Sequence, residues 1–378
     1  MTRNASPLLP EGLRDRLPPE AEAASRVTRA LLDALKGHGY ERVAPPLAEF
    51  RETLDDGAAD AGKGRDLLRF TDPVSQRTLA IRPDITTQVG RIATSRMAHA
   101  ARPLRLSYAG QVVKLKAGQL RPEREMLQIG AELIGTDSVA AAREIVRVAL
   151  SALVSAGVTG ISIDFTLPDL VETLAESALP LVHEDVARIR DELDAKDAGA
   201  LSAAGGDAYL PLIAAAGPFA QAIERLRDID GGAALTSRID ALEAIAGDLG
   251  DDVQLTLDPT ERHGFEYQSW FGFSLFVEGY RGTIGRGGSY LVTHQDGRQE
   301  PAIGFSLYPD PLIDEGLGQD DSDKRRLFLP LPLGHHAGLA ADYRAQGWVT
   351  IAALSDSDDA HALGCTHQLG PNGPELLG

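Results

Sequence analysis

The chain has 378 residues, a formal net charge of −18 and a sequence pI near 4.9, which gives length for a sizeable core and more than one domain but argues against wrapping nucleic acid, since phosphate binding needs a basic footprint. Its one cysteine, Cys365, forms no internal disulfide, which favours a reducing compartment. No apolar run approaches the ~18 residues that span a bilayer, and "MTRNASPLLPEG" lacks the apolar core of a signal peptide, so a cytoplasmic location is expected and a membrane partner is not.

From Pro18 to Gly37 the apolar positions Ala21, Ala24, Val27, Ala30, Leu31 and Leu35 recur at helical spacing, with Pro18 and Pro19 suited to the start and Gly37 to the stop. This predicts an amphipathic helix. The segments "YERVAPPLAEF", "LLRFTDPVSQRTLAIRP", "RLSYAGQVVKLKAGQLRPEREMLQIGAELIG", "VQLTLDP", "FGFSLFVEGY" and "PAIGFSL" read as short strands separated by turns, hence an antiparallel sheet. Inside the third, strands around Leu106–Leu115 and Glu125–Ile134 flank a polar loop that carries Lys114, Lys116, Arg121 and Arg124. Between about 136 and 250 the chain turns rich in alanine and leucine at 3.6-residue period, broken by the strand-like "GISIDF", which reads as a helical insertion. Asp314–Arg326 is acidic and turn-rich, a linker by composition, and a last α/β unit follows with "RRLFLPLPLG", a helix near Ala337–Gln346 and "GWVTIAAL". The expected class is α+β: an antiparallel sheet flanked by helices over 1–313, a linker over 314–326 and a small α/β unit over 327–378.

Residue by residue, several chemistries stay open. Lys114, Lys116, Arg121 and Arg124 suit an anionic ligand but equally an ordinary charged hairpin loop. Asp84, after Pro83, reads as a ligand group or as a turn or helix cap. Gln128 and Glu132 lie four apart on a strand and share a face, which by default is a solvated one. His335, His336, His361, Cys365 and His367 form no metal-ligand spacing, because "HALGCTH" has no paired cysteines and no clear fourth ligand. The glycines of "GTIGRGGSY" lack the strand–helix context and the Lys-Ser pair of a phosphate loop. No resident cofactor and no metal are expected.

In order, "GYERVAPPLAEF", "LAIRPDITTQVGR", the Arg105–Gly135 stretch, "ERHGFEYQSWFGFSLF", "GRGGSYL" and "AIGFSL" resemble the catalytic core of class II histidyl-tRNA synthetases over roughly residues 10 to 312. It is the order of six segments, not any one of them, that makes the resemblance specific. The acidic balance and the short stretch after Leu312 resemble more closely a smaller relative, the regulatory subunits of ATP phosphoribosyltransferase, which lack the anticodon-binding domain. That resemblance implies a non-catalytic partner of a short catalytic subunit in the first step of histidine biosynthesis, with histidine as ligand. It also implies a homodimer within a hetero-oligomer, formed through "GYERVAPPLAEF" with Pro46 and Glu49 at the marked positions.

The resemblance assigns residues. Asp84 falls where the family places a glutamate for the α-amino group, and Thr86 at a neighbouring hydroxyl contact. Gln128 and Glu132 match residues facing the amino group and the imidazole; a cluster of acceptors suits an ammonium and a ring N–H. Through Gly264, the family's "RG" aligns with His263, leaving Arg262 one place away, and its two tyrosines align with Tyr267 and Gln268. The positions that grip ATP have changed type: an α-phosphate arginine becomes Lys114, an adenine-contacting glutamate becomes Lys116 in the loop that also holds Arg124, and an adenine-stacking arginine becomes Pro311. Lysine lacks the planar bidentate fork of arginine, and adenylation needs several positive groups at once, so ATP activation is expected to be lost. The family's glycine-rich motif is expected in a tight turn beside the amino-acid pocket. The alternatives are a synthetase-like enzyme that activates histidine for a non-tRNA acceptor and, less in keeping with the charge, a tRNA-binding paralogue.

Overall fold

The first helix buries its apolar stripe: α1 (Glu20–Gly37) turns Ala23, Val27, Leu31 and Leu35 into the core, with Ala23, not Ala21 or Ala24, as the buried member of the first turn. The computed structural model describes residues 9–55, 67–116, 122–229, 233–250, 252–262, 268–319, 325–331 and 337–377. The chain forms two compact units, one through Gly318 and the other from Gln319 onward.

In the first unit, β1 (Glu41–Arg42), β2 (Ala48–Phe50), α2 (Arg51–Asp55), β3 (Arg69–Thr71), β4 (Thr78–Ile81) and α3 (Thr86–Thr94) lead to the long hairpin β5 (Leu104–Val113) and β6 (Glu125–Ile134). Next come α4 (Val139–Ser155), β7 (Ile161–Thr166), α5 (Leu170–Ala175), α6 (His183–Asp194), α7 (Ala198–Ala203), α8 (Leu210–Ile213), β8 (Gly217–Pro218), α9 (Phe219–Ile229), α10 (Thr236–Ala246) and β9 (Gln254–Leu257). The unit closes with β10 (Gln268–Val277), β11 (Gly285–Thr293), β12 (Gln299–Leu307) and α11 (Asp310–Asp314).

The main sheet runs in the order β1-β5-β6-β12-β11-β10-β7-β9-β8. Its pairings are antiparallel except β1 with β5 and β7 with β9, which are parallel. A smaller sheet, β2-β4-β3, lies in the same unit. Within the stretch read as an insertion, α4 packs with α1 on the main sheet and β7 enters it, so the separate helices are those between β7 and β9.

Side-chain alternation gives the main sheet two different faces. Register places Phe165, Phe273, Gly287, Phe305 and Ala131 in one row across β7, β10, β11, β12 and β6, on the face that packs against α1 and α4. On the opposite face, Thr166, Gly272, Gly288, Gly304 and Glu132 form one row, and Asp164, Ser274, Arg286, Ser306, Gly130 and Tyr108 form the next. This second face is polar and glycine-rich at its centre. The "GRGGSY" glycines therefore lie on strand β11, not in a tight turn, because they pair residue for residue with β10 and β12.

The second unit contains β13 (Arg326–Leu329), α12 (Ala337–Ala345), β14 (Val349–Ala352), β15 (His367–Gly370) and β16 (Gly373–Leu376). Its sheet order is β14-β13-β15-β16, with β13 parallel to both neighbours, and its core holds Leu327, Leu329, Ala340 and Leu369 on one side.

Candidate functional site

The polar face of the main sheet is closed on one side by α3. The turn that starts this helix comes straight from "RPDITT": the Asp84 carboxylate accepts the Thr86 backbone N–H at 2.7 Å, while its other oxygen accepts the Gln128 side-chain N–H at 2.8 Å. Asp84 thus makes an Asx turn just before the cap position, Ile85, and joins the polar network of the site. Gln128 is wholly buried, accepts the Ile85 N–H at 2.9 Å through its carbonyl, and also donates to Ser306 Oγ at 2.8 Å. It fixes the start of α3 against β6.

Four residues further along β6, Glu132 is 1% exposed. Tyr290 from β11 donates to one of its oxygens at 2.8 Å and Tyr108 from β5 to the other at 3.1 Å. The Tyr108 hydroxyl also lies 3.1 Å from Thr86 Oγ1 and 2.9 Å from Ser306 Oγ. Burial pushes the Glu132 carboxyl up to about 8; the hydroxyls of Tyr290 and Tyr108 pull it down and the charge of Asp84 adds to the rise. A carboxyl so placed is poised to ionise when a cation or an N–H donor arrives.

The open space is a small cleft lined by Thr86, Glu132, Gln268, Arg286, Tyr290 and Ser306 over a floor of Gly287, Gly288 and Gly304. The floor is backbone because side chains have no room there: a Cβ on Gly304 would overlap Glu132 Oε2, and one on Gly288 would overlap the Gln268 amide. Gln268 folds back over β11, donating to the Gly287 carbonyl at 2.9 Å. It also lines a neighbouring cleft with Asp164, Thr166, Glu261, Arg262 and Ser274. Burial lifts the Asp164 carboxyl to about 6, against the Thr256 hydroxyl that donates to it.

Thr86, Glu132 and Gln268 line the cleft, and Asp84 and Gln128 are tied in behind that lining through Thr86 and Ser306; Gln128 and Glu132 are buried, not on the solvated face that strand alternation alone expects. His263, Tyr267 and Arg121 lie outside the described residues. Tyr108, Tyr290, Ser306 and Arg286 were not singled out from sequence; the signal that finds them is cross-strand register, since Tyr108 stands opposite Gly130 and Ser306 opposite both Gly130 and Arg286.

At the other end of the hairpin, Lys114 and Lys116 are exposed. Arg124 is occupied locally, donating to the Lys114 carbonyl at 3.0 Å and to the Glu11 carbonyl at 3.2 Å. Pro311 sits in the first turn of α11, beside Asp310, which accepts from Arg16 at 2.8 Å and from the Leu127 N–H at 2.7 Å. The "PPLAEF" segment is tied to α3: Gln88 donates to the Pro46 carbonyl at 2.9 Å and to Glu49 at 2.8 Å, and Arg91 pairs with Glu49 at 2.5 Å.

A mixed sheet with a hairpin of this kind, a polar glycine-floored face and a helix started by "RPD" defines a class II synthetase-like core, and the histidyl-tRNA synthetase family model matches residues 12–312. An ATP phosphoribosyltransferase regulatory subunit of Paramagnetospirillum magneticum is 42% identical over 384 aligned residues, covering 99% of both chains. One from Rhodospirillum centenum is 42% identical, covering 95% of this chain and 94% of the other. In fold, a Bacillus halodurans protein described as an ATP phosphoribosyltransferase regulatory subunit/histidyl-tRNA synthetase superposes with a TM-score of 0.79 at 22% identity, covering 96% of this chain and 97% of that one. The chain belongs to the family of ATP phosphoribosyltransferase regulatory subunits, built on the histidyl-tRNA synthetase fold.

Proposed function

We propose that the chain is a non-catalytic subunit that joins a short ATP phosphoribosyltransferase catalytic subunit in the first step of histidine biosynthesis, binds free histidine in the β6–β11–β12 cleft, and mediates feedback. The observation that carries this reading is the assembled acceptor set, to which the resemblance adds the expectation of an altered nucleotide end. Asp84 and Gln128 are hydrogen-bonded to each other behind a cleft whose backbone floor is bordered by Glu132 with its two tyrosine hydroxyls, whereas the hairpin loop presents Lys114 and Lys116 and the first turn of α11 holds Pro311.

The chemistry follows from these groups. An α-ammonium fits the Asp84 carboxylate and the Thr86 hydroxyl, with the Gln128 amide holding Asp84 from behind, and an imidazole N–H fits the buried Glu132. Ligand contacts at Thr86 act on the first turn of α3, whose later residues Gln88 and Arg91 hold Glu49. In this proposal that segment forms a homodimer contact inside the hetero-oligomer, so that occupancy of the cleft biases the assembly. A coupling of about 1–3 kcal/mol is the usual scale of such an effect. The working location is the cytoplasm, with neither nucleic acid nor membrane as partner.

The test is co-purification with the organism's short phosphoribosyltransferase, then an activity assay with and without histidine. The expected result is activity that requires this chain and falls on adding histidine. A partner equally active alone would overturn the regulatory reading, and equal histidine sensitivity with Glu132→Ala would remove the cleft from it.

A further inference from the structure

The cleft is chemically asymmetric. Its β6 and α3 side carries the acceptors Glu132 and Thr86, with the Asp84 carboxylate and the Tyr108 hydroxyl hydrogen-bonded behind them, while Ser306 on β12 lies between this side and β11. Among the described residues that line the cleft, the cation is Arg286 on β11. Register places Arg286 directly between Ser274 of β10 and Ser306 of β12, on the same face as Tyr108 and Glu132. Strands β6 and β11 are two places apart in the sheet, about 10 Å at the backbone, and the length of an arginine side chain shortens that span.

Between the two sides lies the bare backbone of Gly288 and Gly304. A small molecule lying on this floor meets acceptors at one end and a guanidinium at the other, which is the polarity of a zwitterion. The guanidinium matches a carboxylate with two parallel N–H donors, and no other cation among the described lining residues offers that. We propose that Arg286 recognises the ligand's carboxylate, so that the cleft selects an α-amino acid over the amine or alcohol with the same side chain. This rests on the histidine reading and specifies what that reading leaves open, the group that reads the acid end.

The experiment is titration calorimetry on the full chain with L-histidine, L-histidinol and histamine, for wild type, Arg286→Lys and Arg286→Gln, with thermal melts as a folding control. In wild type, histidine is expected to bind about 10- to 100-fold more tightly than the two ligands that lack a carboxylate, the range of charge-assisted pairing. Arg286→Gln should erase most of that preference by weakening histidine alone, and Arg286→Lys should keep part of it. Histidinol binding to wild type as tightly as histidine overturns the proposal without any variant, as does a preference unchanged in a folded Arg286→Gln protein. Wild type that binds none of the three overturns the histidine reading itself, and this inference with it.

Discussion

Glu132 on β6 and Gly304 on β12 face each other directly in the sheet, and the carboxyl of the first occupies the space that a side chain on the second would fill. Gly304 is there for room, not for an unusual backbone angle. Gly304→Ala must therefore push Glu132 off its two tyrosines or move the Ala131 carbonyl, which also lies close to the added carbon. The expected result is a loss of about 1–3 kcal/mol in stability, the usual range for overpacking, with at least tenfold weaker histidine binding. Gly37→Ala, where an added Cβ meets nothing within 4 Å, is the control and should leave binding unchanged. Denaturant melts and calorimetry on both variants decide it.

The raised Glu132 carboxyl has a definite pH signature. Its folded value is about 8 and its ordinary value 4.5, so the folded chain holds the extra proton between those limits. Stability therefore falls as pH rises from about 4.5 through about 8 and is flat above, as far as this group contributes. Ligand binding runs the other way: an N–H donor against Glu132 favours the carboxylate, so histidine binding near pH 7.5 should release a proton and tighten toward pH 8. Calorimetry in two buffers of different ionisation heat measures that proton. Glu132→Gln should abolish the release; an unchanged release in that variant would assign the proton elsewhere.

The strand that carries the site could be read from the sequence because turn residues bracket an apolar run in which Gln128 and Glu132, four apart, share a face; β6 spans Glu125–Ile134 as expected. What the alternation does not carry is which face is dry. Gln128 and Glu132 are buried because α3 and the tyrosines of β5 and β11 close over them, and those contacts join positions far apart in sequence. Helix α3 has little signal in the sequence because it is only nine residues long, begins with two threonines and follows a proline-aspartate turn that also reads as a loop. Arg286 needed the β10–β11–β12 register, which the spacing of glycines in "GRGGSY" does not supply.

Gln128 tests how tightly α3 is tied to the sheet. Gln128→Glu keeps the carbonyl that accepts the Ile85 N–H but turns the amide that serves Asp84 and Ser306 into a carboxyl. Charged, that group would face the Asp84 carboxylate in a dry site; protonated, it can still donate once. Its folded pKa would therefore be raised, so the stability lost by the variant should be about 1–3 kcal/mol at pH 7 and partly recovered at pH 5. Melts at the two pH values read the difference, and a loss that does not depend on pH would mean that the new group points away from Asp84.

The last prediction separates a sensor from an enzyme. By the resemblance, activation of histidine by ATP is expected to place an α-phosphate near Lys114 in the β5–β6 loop and an adenine near Lys116 and Pro311 in the first turn of α11. Arg124 is held by the carbonyls of Lys114 and Glu11, and Asp310 by Arg16 and the Leu127 N–H, so neither is placed to substitute without giving up those bonds. Stabilisation of a developing phosphoryl charge comes from several preorganised donors acting together, and removing a single donor commonly lowers the rate by about 10²–10³. If the resemblance holds, so that Lys114 replaces the α-phosphate arginine and Lys116 and Pro311 replace the two adenine contacts, histidine-dependent exchange of pyrophosphate into ATP should stay at the level of a no-protein blank, even in preparations that bind histidine. Exchange above that blank and lost on Lys114→Ala would make the chain an activating enzyme, and would leave Pro311 as an unexpected part of a working nucleotide site.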